Sequence, residues 1–211
     1  DRIFRIQAHY RFGDTKDDFG ITPFPIIEAL LNEHPDIEAG ISLYQLGPTT
    51  LEHDGQRYEA KDGYNADTST FRNFDFTFTH GGNDALDEPD NIVIMQDMAT
   101  RMFGEQDPIG KLVTRNGRTL KVAGVIDGKA ENTHIPMGVF MSRLGMPPQA
   151  REQLGQSWGN NSCFNYLVLA PGVSADDFQG KMDAFVTKYI IPAWGGDRFQ
   201  GSIRFNLEPL R

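Results

Sequence analysis

The chain has a single cysteine, Cys163, among its 211 residues, so no internal disulfide can form. A lone thiol fits the cytosol and equally a bacterial periplasmic domain that folds without covalent staples. No apolar run approaches the roughly 18 residues needed to cross a bilayer as a helix, and no stretch reads as a signal peptide. The chain starts at Asp1 without a methionine and already reads as strand at Ile3, so a piece of a longer protein is expected. Positive charge is sparse as well: 20 Lys and Arg stand against 29 Asp and Glu, a net charge of −9. The longest basic grouping, Arg115 to Lys121, folds around a turn, which excludes the clustered surface that nucleic acid requires. Scattered acid of this kind serves solubility.

The usual reactive patterns are missing too. His9, His34, His53, His80 and His134 never stand three or four residues apart, and neither HExxH nor a Cys-His spacing occurs. Asp84, Asp87, Glu88 and Asp90 lack the alternate spacing of a calcium loop, and Pro89 stiffens their middle. Asp14, Asp17 and Asp18 read in the same way, as a solvated loop. There is no Gly-x-Ser-x-Gly, and Cys163 enters a strand pattern where an inert buried thiol is expected. GEQDPIGK, from Gly104 to Lys111, places two acids where a phosphate cradle needs bare amides. No catalytic residue, metal ligand or cofactor is predicted.

What the chain does carry is a clear order of elements. Ile3–His9 alternates as a half-buried strand, and the polar segment 13–20 follows as a loop. Thr22 and Pro23 predict a helix start, with Ile27, Leu30 and Leu31 as its apolar stripe and Pro35 beyond its end. Ile37–Leu46 reads as strand, and Thr50–Ala60 as a hairpin folded at Asp54-Gly55. Phe74, Phe76 and Phe78 alternate as in a strand, and Ile92–Met95 is a short apolar one. A helix follows with Met95, Met98, Ala99, Met102 and Phe103 on one side and Gly104 as its stop. Asn116-Gly117 joins the strands Leu112–Arg115 and Arg118–Ile126. Phe164–Leu169 is strand, Ser174 caps a helix bearing Phe178, Met182, Phe185, Val186 and Tyr189 on one face, and Arg204–Leu210 closes as strand. Trp158 and Trp194 sit in glycine-rich contexts, as contact residues or folded back on the core. The pattern predicts an α+β protein whose two ends pack together around an inserted β-rich lobe.

The central run resembles a known family. FRNFDF, ALDEPDNIVIMQDMATRMFGEQDPIGK, VAGVI and ENTHIPMGVFMS together resemble the MacB-like periplasmic core domain of ABC transporter permeases of the MacB/FtsX type. Phe103, Gly104, Asp107, Pro108, Ile109, Gly110, Lys111 and Gly124 stand at the motif positions, as do Leu86, Pro89, Val122 and Val125. Gly128-Lys129 departs from the acidic or proline-containing step often found there. The motif reads as a structural joint: Gly104 ends a helix, Pro108 fixes a turn, Asp107 accepts backbone bonds, and Gly110 supplies a conformation closed to other residues.

The resemblance implies a Porter-like α/β lobe, residues 1–66 and 140–211, and a Sabre-like inserted lobe, residues 67–139. It implies a place on the periplasmic side of the inner membrane, between the first two membrane helices of a permease. The implied partners are a cytoplasmic ATPase, a second permease copy and a periplasmic adaptor or cargo. No residue here would hydrolyse ATP. Two other readings compete: a ligand-binding sensor ectodomain, and a hydrolase assembled from dispersed residues such as His80 and His134.

Overall fold

The computed structural model describes residues 2–128, 135 and 138–210. In chain order the strands are β1 (Ile3–Phe12), β2 (Thr15–Phe19), β3 (Thr22–Pro23), β4 (Ile37–His53), β5 (Gln56–Ala66) and β6 (Phe78–His80). They continue as β7 (Asn91–Met95), β8 (Leu112–Arg115), β9 (Arg118–Ile126), β10 (Val139–Ser142), β11 (Asn161–Leu169) and β12 (Ser202–Pro209). The helices are α1 (Ile26–Glu33), α2 (Thr70–Asn73), α3 (Gln96–Phe103), α4 (Pro148–Gly155), α5 (Ala175–Phe185) and α6 (Ile191–Ala193). A π-helical turn, Val186–Ile190, joins α5 to α6. This is the α+β class expected.

The chain forms two compact units, Asp1–Ser42 with Pro148–Arg211, and Leu43–Pro147. The expected lobe edges lay at residues 66/67 and 139/140, whereas residues 43–66 and 140–147 group with the inserted unit. The reason is a ladder: β5 pairs in parallel with β10, Gly63 opposite Val139 through Ala66 opposite Ser142.

In the unit built from both chain ends, β1 alternates as its sequence predicts. Phe4, Ile6, Ala8 and Tyr10 are buried, and Arg5, Gln7, His9 and Arg11 face the other way. β12 runs antiparallel along one edge of β1, from Phe4 opposite Pro209 to Arg11 opposite Ser202. The other edge is shared by β11 at Ile3–Arg5 and β2 at Ala8–Phe12. The buried face packs on Ile26, Ile27 and Leu30 of α1 and on Phe178, Met182 and Phe185 of α5. Ser174 caps α5 by accepting the Asp177 N–H at 3.1 Å, while its hydroxyl donates to the Asp177 carboxylate at 2.6 Å.

Two local expectations fail here. Residues 15–19 are a strand, not loop; all five side chains of β2 are exposed, so no apolar alternation marks it. Thr22 and Pro23 form β3 rather than a helix start, and the Thr22 hydroxyl accepts a hydrogen bond from Asn165 Nδ2 at 2.9 Å. α1 begins three residues later, after Pro25.

The inserted unit has the strand order β4-β5-β10-β7-β9-β6, with β8 paired to β9 and, through Thr114, to Glu52 of β4. β7 and β9 are parallel neighbours, and α3 lies in the connection between them. Ile92, Ile94, Val122 and Val125 meet Met98, Ala99, Met102 and Phe103 of α3 in one core. A second cluster is aromatic. Phe71, 1% exposed, has Phe76, Phe78 and Phe140 edge-on around it at 5.1, 5.1 and 5.5 Å. The strand expected across Phe74–Phe78 is absent; only Phe78–His80 pairs, because Phe71 sits on α2 and draws the following rings inward.

Truncation of Phe71 to alanine leaves three rings facing a void. F71A should lose about 3–5 kcal/mol of unfolding free energy, read by urea denaturation; a loss below about 1 kcal/mol would contradict this packing. The end-built unit has its own acid-sensitive link. The Glu33 carboxylate accepts Lys188 Nζ at 2.6 Å and the Tyr189 hydroxyl, and these bonds hold its pKa below the usual carboxylate value. The folded pKa is depressed, so the link stabilises fully above the unfolded value near 4.5 and is lost as pH falls through the folded one. E33Q should therefore be less stable than the parent at pH 7, with the gap closing below pH 4.5; an unchanged gap at acid pH would refute the link.

Candidate functional site

The residues singled out by sequence converge on one turn between α3 and the β8–β9 hairpin. α3 buries Met98, Ala99, Met102 and Phe103 and ends where the Gly104 N–H bonds to Thr100 O at 2.9 Å. Gly104 has φ +61° and ψ −124°, outside the usual left-handed cap but still a conformation that disfavours side chains. The Asp107 carboxylate then accepts the Ile109 N–H at 2.9 Å, closing a turn around buried Pro108. Gly110, at φ +80°, sends its N–H to Val122 O at 2.8 Å, and Val122 returns its own to Lys111 O at 2.9 Å. Lys111 Nζ reaches back to Gln106 Oε1 at 2.8 Å. Each end of the motif is thus tied to a different element, α3 on one side and β9 on the other.

Gly124 lies one strand deeper, in β9. A Cβ there would stand 2.8 Å from the Phe78 ring, 3.1 Å from Ala85 and 3.2 Å from Val93. Gly124 serves close packing, whereas Gly110 serves backbone conformation.

Two supports were not visible in the sequence. His53, at the tip of β4, donates from Nδ1 to Leu112 O at 3.0 Å and packs edge-on against Phe103 at 4.8 Å. Arg118 clamps the segment before β7 by bonding Asp90 at 2.6 Å, the Pro89 carbonyl at 2.9 Å and the Gly145 carbonyl. Neither residue carries a spacing signal, because each acts on a neighbour far away in sequence. The turn also presents two apolar side chains to solvent, Ile109 at 40% and Leu112 at 57% exposed.

A groove of about 630 Å³ opens beside the first turn of α3, lined by Met95 and Met98 together with Glu59, Lys61, Thr79 and Arg101. Of its charged lining residues, Arg101 pairs with Asp97 at 3.4 Å. Among the described residues no three His, Cys, Asp or Glu side chains converge to hold a metal ion. His80 is exposed on β6, and His134 lies outside the described residues. Cys163 is buried in β11, as its strand context implied.

The two glycines separate strain from crowding. G110A should cost about 1–2 kcal/mol from its positive φ alone, and G110N less, because asparagine tolerates that region. G124A should cost about 1–3 kcal/mol by overpacking, and G124N more. Urea unfolding of the four variants checks the order; equal costs for alanine and asparagine at both sites would remove the distinction.

No curated protein matches the chain in sequence. Among solved structures it resembles a domain of a protein assigned as a permease from Porphyromonas gingivalis, with a TM-score of 0.81 at 22% identity over 100% of this chain and 90% of that one. It also resembles the periplasmic region of MacB from Actinobacillus actinomycetemcomitans, with a TM-score of 0.58 at 13% identity over 94% and 87%. The extracellular domain of the noncanonic ABC-type transporter YknZ from Gram-positive bacteria gives a TM-score of 0.53 at 14% identity over 96% and 100%. These likenesses establish the fold. Among the described residues no helix is long and apolar enough to cross a membrane. The sequence model of one family spans residues 1–185, and on that match the chain belongs to the MacB-like periplasmic core domain family of ABC transporter permeases.

Proposed function

We propose that this domain stands outside the membrane between two successive spans of its permease and passes ATP-driven motion to an extracytoplasmic cargo or adaptor. The observation that carries the reading is the pairing of the first and last strands. Phe4 lies opposite Pro209, and the Leu210 N–H bonds to Ile3 O at 3.1 Å, so the chain enters and leaves side by side. An insertion between neighbouring membrane helices needs that arrangement. Family membership supports the same placement.

In this reading the end-built unit is the Porter-like lobe and the inserted unit the Sabre-like one. The turn Phe103–Lys111, with Gly124 behind it, is a rigid joint: a helix end, an Asx-type turn and a β-hairpin held by backbone bonds at both sides. Motion reaching one element is then carried to the next without being absorbed in a soft loop. ATP is hydrolysed by a cytoplasmic ATPase, and two permease copies act together.

Glu105, exposed on the joint, is the place to test this. In the full-length permease, E105C should react with a membrane-impermeant maleimide in intact spheroplasts, while buried Cys163 stays silent. Spin labels attached to the E105C thiol in two copies should change their mutual distance between nucleotide-free and ATP-bound states. Labelling only after membrane disruption would overturn the location, and an ATP-independent distance would overturn the motion.

A further inference from the structure

The end-built unit carries an aromatic shelf at the edge of its core, where Phe12 and Phe199 pack against the buried cluster and Phe19 and Trp194 are exposed. Five rings meet at the far end of β1, two from β1 itself and one each from residues 19, 194 and 199. Tyr10 contacts Phe19 at 5.7 Å and Trp194 at 5.4 Å, and Phe12 contacts Trp194 at 5.7 Å and Phe199 at 5.4 Å. Tyr10 is buried and hydrogen-bonded to Asn161 at 3.0 Å, so it is the base of the shelf. Phe19 and Trp194 are its open rim, 40% and 37% exposed. Trp158 stacks on Tyr189 at 4.5 Å and packs against the same core elsewhere.

One carboxylate shares this face. In the β1–β2 ladder Tyr10 lies opposite Asp17 and Ala8 opposite Phe19, so Asp17 projects on the aromatic side, two residues from Phe19. Lys16 and Asp18 project on the opposite side, where Arg11 binds the Asp18 carboxylate at 2.7 Å. Arg11 also reaches the Asp17 backbone carbonyl at 3.3 Å, not its side chain. Among the described residues no cation pairs with the Asp17 carboxylate, including Arg198 in the turn before Phe199.

Exposed aromatic rings beside an unneutralised carboxylate are the two halves of a guanidinium site. A planar cation stacks on the aromatic quadrupole while its N–H groups bond the carboxylate. We propose that this shelf binds an arginine side chain presented by an extracytoplasmic protein segment. The ring faces favour arginine over lysine, and the chain's net charge of −9 favours a basic partner over an acidic one. The shelf stands eight residues along β1 from Phe4, about 26 Å from the paired chain ends. Only the word extracytoplasmic rests on the permease reading; the chemistry of the shelf does not.

The test uses the 211-residue chain and three blocked tripeptides, Ac-Arg-Ala-Arg-NH2, Ac-Nle-Ala-Nle-NH2 and Ac-Glu-Ala-Glu-NH2. The NMR signal of the Trp194 indole N–H, assigned by its loss in W194F, reports on the shelf. The arginine peptide should shift it saturably and the other two should not. D17N, a surface change checked by an unaltered melting temperature, should weaken binding about fivefold or more. D14N, outside the ladder face, should leave it unchanged. An equal response to the norleucine peptide, or binding indifferent to D17N, would overturn the proposal. So would no response to any peptide. Self-association of the chain that W194A abolishes, without any arginine response, would assign the face to a second copy and overturn it as well.

Discussion

Everything in the end-built unit depends on the antiparallel contact between β1 and β12. β1 is a central strand, with β12 on one edge and β11 and β2 sharing the other. A central strand has no spare backbone groups, so its ladder holds both edges in register. The same strand supplies four of the buried side chains on which α1 and α5 pack. Burying each large apolar side chain contributes about 1.5–3 kcal/mol, so register and core reinforce one another: a one-residue slip would turn Phe4, Ile6, Ala8 and Tyr10 out to solvent. Closing the chain on itself in this way leaves residues 43–147 free to be an insertion with a core of its own.

The insertion solves a different problem. Its sheet mixes parallel and antiparallel neighbours, so chain reversals must be held by connections rather than by hairpins alone. The turn at Phe103–Lys111 is one of these connections. It brings a helix end, an Asx-type turn and a hairpin start within nine residues and bonds each of them through the backbone. Positive φ at Gly104 and Gly110 is the steric condition for that compression. Arg118 and His53 tie neighbouring segments to the hairpin on either side. A connection so heavily bonded deforms as a body.

The division of labour between the units follows the same logic. The joint offers geometry and two exposed aliphatic side chains, Ile109 and Leu112. The aromatic shelf offers recognition chemistry on the other unit, near none of the motif residues in sequence. The family match spans residues 1–185, which include both the joint and the β1 and β2 residues of the shelf.

Periodicity and turn chemistry were enough to place β1, β7, the β8–β9 hairpin, α3, α5 and β12, because each buries one face or folds at a glycine pair. The joint was legible for the same reason: Gly104, Asp107, Pro108 and Gly110 act on the backbone within a few residues. β2 was not legible, since a fully solvated strand has no apolar alternation to show. α4, which buries no residue, left no signal either. The Phe74–Phe78 alternation misled because burial around Phe71, not strand pairing, orders those rings. The sequence by itself determined the α+β class, the local turns and the absence of the familiar catalytic spacings, all of which are short-range or compositional. Only the tertiary structure decided which strands neighbour which, where the units divide, and that Phe12, Phe19, Asp17 and Trp194 share one face. Those are contacts between residues far apart in the chain, and long-range burial, not local preference, brings them together.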